Sequence, residues 1–423
     1  MRTINTDFRE IKPGTLRGSV SVPPSKSISH RMLILGAISE KKCVVKHLLL
    51  SDDVKITLNA LRKLGYVIEL KGDTAYFNGE RKIVSKPISI NFGDSGTSAR
   101  LLTALAAGLP GDYILDASSR MRKRPMAPLI NALKDLKVSI KSTNGYLPIQ
   151  LKGEILQGGE VHVDVTQSSQ YMSALMLVAP LTERGLKIFP SREIASKSYA
   201  DLTIAMLEQN GIRVEKNDSY IYIAGNQRPI LTMSTVEGDF SSAAYFAVGA
   251  AISGGKVYIE NINRNSWQGD RIILDVLKKA GANVHWDKKG ASVLAGTLHG
   301  IEMDMSSVPD LVPTVAVLAL FAEGKSGFGN VGHLRIKESD RLSAIINNIS
   351  NLGGSAVVDG FDLIIKPKVL KGTRIQTYND HRIAMSFALA GLCVPNTRIE
   401  NPNCVTKSFP NFWFELDRLT HPD

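Results

Sequence analysis

Several common kinds of chemistry have no raw material in this chain. Its 423 residues include three cysteines, Cys43, Cys393 and Cys404, with no CxxC spacing. That rules out an even disulfide framework, argues against a structural zinc site and fits a reducing compartment. Zinc-ligand spacing and the G-x-S-x-G elbow are both missing, and no reactive-looking cysteine sits at a loop-to-helix junction. The glycine-bearing segment GDSGTSAR matches neither G-x-x-x-x-G-K-[ST] nor G-x-G-x-x-G. No stretch approaches the roughly 18 consecutive apolar residues of a spanning helix. The opening MRTINTDFREIKPG has no apolar core, so we expect no signal peptide and a soluble, cytoplasmic protein. Aromatic residues make up 6% and do not interleave with the basic runs, which counts against base stacking on nucleic acid.

Acidic residues are outnumbered, 40 against 51 basic, for a formal charge of +11. Nucleic acid, phosphorylated metabolites and acidic membranes all qualify as partners, and so does plain solvent. The basic residues form no tail, and their longest cluster is Arg120-Met121-Arg122-Lys123-Arg124.

What the chain does have is a sixfold repeat. Small polar or charged residues followed by a run of Ala, Leu, Ile, Val and Met recur in PSKSISHRMLILGAI, GDSGTSARLLTALAAGL, VTQSSQYMSALMLVAPL, GDFSSAAYFAVGAAI, VPDLVPTVAVLALFA and NDHRIAMSFALAGL. Taking Lys26, Gly96, Ser168, Ser241, Asp310 and Asp380 as equivalent points, the intervals run from 69 to 73 residues. A second helical pattern follows each, and several end on a glycine: Gly65, Gly211, Gly281 and Gly353. Short β-rich runs such as YVIEL, VHVDV and ANVHW lie between. Each repeat therefore reads as βαβαββ, with the last truncated near Leu419. Length and a 43% hydrophobic content predict two α/β domains of three repeats each. We place the first over residues 23–236 and the second over 1–22 plus 237–423, with a ligand site expected in the cleft between them. The strand-like LRGSVSV before the first repeat can pair with either half.

Each junction offers backbone N–H groups and a positive dipole end to an anion. In PPSKSISHR, Lys26 stands at a helix mouth and Arg31 about one turn in, which suits a phosphate or carboxylate; an N-cap serine with exposed cations explains the segment equally well. Gly96 allows close approach of a ligand to backbone, or serves only as a turn. RMRKRP puts Pro125 at a predicted first helical position, with its arginines facing an anion or solvent. Ser168, Ser169 and Gln170 are neutral donors and acceptors at one mouth, more than capping needs. In KESDRL, Lys337 and Arg341 are predicted to share a helix face beside Glu338, crowding that shifts pKa values toward proton transfer. NDHRIAM repeats the idea with Asp380, His381 and Arg382. Asp310 is a candidate base or a simple N-cap, and Lys407 is ambiguous by itself.

Taken in order, SKSISHR, GDSGTSAR, RMRKRP, QSSQY, SKSY, VPD, KESDR, YNDHR and TKSFP resemble the 5-enolpyruvylshikimate-3-phosphate synthases, the enolpyruvyl transferases of the shikimate pathway. The resemblance covers nearly the whole chain. It implies two domains, each of three βαβαββ units around a pseudo-threefold axis (an inside-out α/β barrel), closing on substrate. It implies shikimate 3-phosphate held by Lys26, Ser27, Arg31, Ser168, Ser169, Gln170, Ser196, Asp310 and Lys337. Phosphoenolpyruvate falls to Lys26, Gly96, Arg124, Gln170, Arg341, Arg382 and Lys407. The implied reaction adds the shikimate 5-hydroxyl to C2 of phosphoenolpyruvate and eliminates phosphate through a tetrahedral intermediate. Asp310 would be base to the hydroxyl, Glu338 would exchange a proton with C3, and Lys26 would assist proton traffic. No metal or organic cofactor, nucleic acid or membrane is implied, and a monomer is expected. The family's herbicide glyphosate would compete at the phosphoenolpyruvate site.

Two positions depart from the family pattern: Asp94 stands where Asn is common, and His333 where some members carry Asn, so His333 is given no role. A carboxylate at Asp94 should weaken anion binding unless a neighbouring base pairs with it. The related UDP-N-acetylglucosamine enolpyruvyl transferases typically carry Lys-Asn in place of Lys26-Ser27 and a cysteine in the RMRKRPMAP loop, and neither feature occurs here. A nucleic-acid-binding protein lacks its aromatics. A sensor of phosphorylated metabolites without catalysis would not need Asp310 and Glu338.

Overall fold

The computed structural model describes residues 8–84, 87–191 and 194–421; the first seven residues of the opening segment lie outside it. The chain divides into two compact units, one of residues 24–236 and a split unit of residues 1–23 plus 237–423. Each has its own hydrophobic core. Among the described residues no helix is long and apolar enough to cross a membrane.

In the 24–236 unit the first helices of the three repeats are α1 (Lys26–Ile38), α3 (Gly96–Ala107) and α5 (Gln170–Val178), alternating with the second helices α2 (Asp52–Lys63), α4 (Ala127–Asp135) and α6 (Lys197–Gln209). The first helices are apolar around most of their circumference and are accordingly buried almost throughout. The second helices are one-sided. In α2, Val54, Leu58 and Leu61 are buried while Lys55, Asn59 and Arg62 face water. The split unit repeats this with α7 (Phe240–Ile252), α9 (Val312–Leu320) and α11 (His381–Gly391), which pack pairwise on one another. Its second helices are α8 (Ile273–Lys279), α10 (Arg341–Asn351) and α12 (Phe412–Thr420).

The middle repeat of the 24–236 unit shows the sheet plan. Strand Ile88–Asn91 pairs parallel with Gly111–Asp116, which pairs antiparallel with Tyr146–Gly153, itself antiparallel to Ser139–Thr143. A parallel pair needs a long crossover, supplied by α3, whereas the closing antiparallel pair needs only a tight turn. Predicted glycine terminators are in place: Gly65, Gly211, Gly281 and Gly353 all have positive φ after a second helix. After α4, Lys137 takes this left-handed position instead, at φ 67°.

Two features differ from the repeat read in sequence order. Strand Arg17–Ser21, which precedes α1, pairs parallel with Lys256–Glu260 of the split unit. Strand Met233–Thr235, which precedes α7, pairs parallel with Cys43–Lys46 of the 24–236 unit. The leading strands of the first and fourth repeats are thus exchanged. The last repeat is short: Arg374–Ile375 pairs with Arg398–Glu400, and Phe8–Glu10 from the chain's start completes a three-stranded sheet.

Gly65 has φ +97°, and a Cβ there would overlap the Lys82 carbonyl oxygen. Gly65→Ala is expected to lower the unfolding free energy by about 1–3 kcal/mol, read by urea titration. No measurable change would mean that this turn is not held as described.

Candidate active site

The residues singled out by sequence fall into two constellations, one in each unit. In the 24–236 unit, α1 begins at Lys26 itself, whose Nζ lies 3.5 Å from Asp53 Oδ2 at the start of α2. One turn on, Arg31 is 2% exposed and bonds four neutral acceptors: Thr203 Oγ1 at 2.7 Å, Ser27 O at 3.0 Å, Tyr199 O at 3.1 Å and Ser173 Oγ at 3.3 Å. Burial brings this guanidinium down to about 10, still charged at neutral pH, so it projects positive potential at the head of α1.

The mouths of α3 and α5 are tied together. Gln170 Nε2 donates to Thr97 Oγ1 at 3.1 Å, and Arg100 Nη1 donates to Gln170 Oε1 at 2.7 Å. Arg100 lies over the Tyr171 ring, whose hydroxyl donates to Pro125 O at 2.8 Å. Ser168 accepts from the Gln170 amide at 3.3 Å, and Ser169 donates to Ser196 O at 2.8 Å. Ser196 is buried in the left-handed region just before α6. Gly96 opens α3 directly under Arg124: a Cβ there would come within 2.5 Å of Arg124 Nη1. The glycine is therefore what lets this guanidinium lie against the helix mouth.

Pro125 does not open α4, which starts at Ala127. The Pro125 carbonyl is taken by Tyr171 and, at 3.4 Å, by Arg100, and the Met126 amide bonds Gly145 O at 3.0 Å, so the helix begins two residues later. Of the RMRKRP arginines, Arg122 pairs with Asp116 at the surface and Arg124 turns to Gly96. Asp94 is exposed and accepts from the Ser118 hydroxyl.

In the split unit the constellation is ionic. Arg341, 1% exposed at the start of α10, donates to Asp310 at 2.6 Å, to Glu338 at 2.6 Å and to Asp380 at 2.9 Å. Arg382 donates to the other Asp310 oxygen at 2.9 Å. Asp380 also caps α11 through the Arg382 amide, and Ser339 donates to it at 3.0 Å. Burial alone would raise the Asp310 carboxyl, but Arg382 and Arg341 outweigh it and hold Asp310 well below the usual carboxylate range. Asp310 lies in the short turn Pro309–Leu311, and its side-chain oxygens go to the two arginines, so capping is not its task.

Lys337 does not share a helix face with Arg341. It lies outside the helix, three residues before the Asp340 N-cap, because Asp340 bonds the Ser343 amide to start α10. Lys337 acts on Asp310 and on His333, and burial together with Lys337 lowers His333 to about 4. Lys407 ends the turn Pro402–Lys407, which packs on α11. Burial pushes the Cys43 and Cys393 thiols up to about 11, so neither is a thiolate at neutral pH.

Sequence reasoning missed Arg100 and Asp53 as members of the site. Arg100 had a signal, being a cation embedded in the apolar run SARLLTALAA. Among the described residues no group of three or more His, Cys, Asp or Glu side chains could hold a metal ion.

The family model described as EPSP synthase (3-phosphoshikimate 1-carboxyvinyltransferase) matches residues 11–416. A 3-phosphoshikimate 1-carboxyvinyltransferase of Colwellia psychrerythraea is 36% identical over 422 residues, covering 96% of this chain and 98% of the relative. That of Syntrophobacter fumaroxidans is 38% identical, covering 96% and 97%. Among solved structures, an EPSP synthase from Acinetobacter baumannii superposes with a TM-score of 0.82 at 28% identity, covering 98% of both chains.

Beneath Lys26, His30 is fully buried, bonds Thr57 Oγ1 at 2.7 Å, and is pushed by burial from 6.5 to about 3. An imidazole lowered this way favours the fold above its unfolded value, and that contribution is lost as pH falls from 6.5 toward 3. Unfolding free energy should fall over that range more steeply in the wild type than in His30→Gln, by up to about 1.4 kcal/mol per pH unit. Equal slopes would show a charged imidazole in the folded protein.

Proposed function

The chain belongs to the EPSP synthase family, transferring the enolpyruvyl group of phosphoenolpyruvate to shikimate 3-phosphate in the shikimate pathway, and from that premise we propose which of its residues do the work. The observation that carries the assignment is the pair of constellations: helix mouths with buried cations in one unit, and Arg341 and Arg382 gripping Asp310 in the other.

Shikimate 3-phosphate is held by the mouths of α1 and α5, through Lys26, Ser27, Arg31, Ser168, Ser169 and Gln170, with Ser196, Asp310 and Lys337. Phosphoenolpyruvate is held by Lys26, Gly96, Arg124, Gln170, Arg341, Arg382 and Lys407, with Arg100 fixing the amide of Gln170. Two multiply charged anions repel each other. The cations offset that repulsion, and holding the reacting atoms at attack distance contributes up to about 7–11 kcal/mol.

The 5-hydroxyl oxygen bonds to C2 of phosphoenolpyruvate, its proton passing to Asp310, while C3 takes a proton from Glu338. The bond from C2 to the phosphate oxygen then breaks, Glu338 recovers a proton from C3, and the proton held by Asp310 passes to the departing phosphate with Lys26 assisting. Asp310 gripped by two arginines is a weak base. Substrate anions competing for Arg341 and Arg382 loosen that grip and raise its proton affinity where the hydroxyl arrives. This reading has the protein working as a monomer in the cytoplasm, without metal or organic cofactor.

Phosphate release from phosphoenolpyruvate is expected only when shikimate 3-phosphate is also present. Lys26→Ala and Glu338→Ala should lower kcat by about 10²–10⁴-fold with circular dichroism unchanged. Wild-type turnover in either variant would remove that residue from the scheme. Gly96→Ala forces Arg124 aside, and kcat/KM for phosphoenolpyruvate should fall by about 10–100-fold. An unchanged value would mean that Arg124 does not serve this substrate.

A further inference from the structure

Close to Asp310 and Arg382 is a carboxyl group that no step above employs. Asp270 lies in the turn Gly269–Ile272 that leads into α8, and is 4% exposed. Its Oδ2 bonds the hydroxyl of Ser241 in the first turn of α7, and its buried Oδ1 has no hydrogen-bond partner among the described residues. This carboxyl is not what fastens the turn to α7. Gln268 does that, accepting from the Phe240 amide at 3.2 Å and donating to Gly238 O and Glu237 Oε1, each at 2.8 Å. Nor does Asp270 cap the helix, since Asp239 bonds the Ser242 amide at 2.8 Å.

A carboxylate taken from water with one hydroxyl as its only partner is costly, and such a group keeps its proton. The charged groups acting on it are Asp310, in the turn ahead of α9, and Asp239, the N-cap of α7, which both oppose ionisation. Arg382, at the start of α11, and the Ser241 hydroxyl favour it. The following helix α8 turns Asp275, Lys278 and Lys279 outward. Burial first, and then the charge of Asp310, raise Asp270 to about 7.

We propose that Asp270 is a positioning residue that serves as a neutral carboxyl. Carrying its proton, it fixes Ser241 and leaves Arg382 to Asp310 and the substrate; once ionised, it draws Arg382 away and weakens the binding of phosphoenolpyruvate. This rests on the assignment of Arg382 to that substrate. The direction follows from charge: raising the pH adds a buried negative group beside a site that must accept a multiply charged anion.

The test measures KM for phosphoenolpyruvate in the wild type and in Asp270→Asn, which is neutral at every pH, across a span centred on the Asp270 value of about 7. Taking the ratio of wild-type to variant KM cancels the substrate's own ionisation. That ratio is expected to rise by at least about fivefold across the span, with the kcat ratio steady. A flat KM ratio overturns the proposal, because a merely structural aspartate gives no such pH dependence. If Asp270→Asn does not fold, Ser241→Ala takes its place. It deprives the ionised form of its hydrogen-bond donor and should move the rise in KM to higher pH, while an unmoved midpoint counts against us. Arg382→Ala separates the two levels. If it leaves KM unchanged, the site assignment fails and this inference with it; if it raises KM while the Asp270 ratio stays flat, only the inference fails.

Discussion

A guanidinium shut away from water and shared by three carboxylates organises the split unit. Arg341 is buried against Asp310, Glu338 and Asp380, and Asp380, itself fully buried, relies on it in turn, while Asp310 also has Arg382. Breaking one partner from such a cluster typically costs about 3–5 kcal/mol, so its geometry is rigidly specified before any ligand arrives. Asp380 adds a second duty by capping α11, which fixes where Arg382 emerges. The same atoms thus set helix position, carboxylate charge and the direction of two cations. The 24–236 unit solves a related problem differently, holding Arg31 on neutral oxygens so that its charge is left uncompensated.

Much of this was legible in the residues because the signals are local. The six junctions, the apolar first helices and the one-sided second helices follow from spacing alone. The left-handed glycines Gly65, Gly211, Gly281 and Gly353 follow from the lack of a Cβ. Pro125 misled because a carbonyl needed by Tyr171 and Arg100 outweighs the preference of proline for a first helical turn. Lys337 and Arg341 misled because the helix begins between them.

What sequence could not show is non-local. Asp53, Arg100 and Asp270 gain their meaning from partners on other elements, tens of residues away or more. Short strands carry even less information. Arg17–Ser21 and Met233–Thr235 each read as a generic strand ahead of a helix, and nothing in five or three residues states which sheet they join.

That exchange has a consequence for how the protein is made. Arg17 leaves the ribosome long before its neighbour Lys256, and at typical elongation rates the wait is roughly ten to fifty seconds. Over that interval the nascent chain must keep the unpaired strand Arg17–Ser21 from joining the nearer, wrong edge at Cys43–Lys46, which stays open until Met233–Thr235 emerges to fill it. Biosynthesis therefore passes through a window in which the Cys43–Lys46 edge is vacant while neither Met233–Thr235 nor Lys256–Glu260 has been made, a window that a cut or permuted gene would widen or abolish.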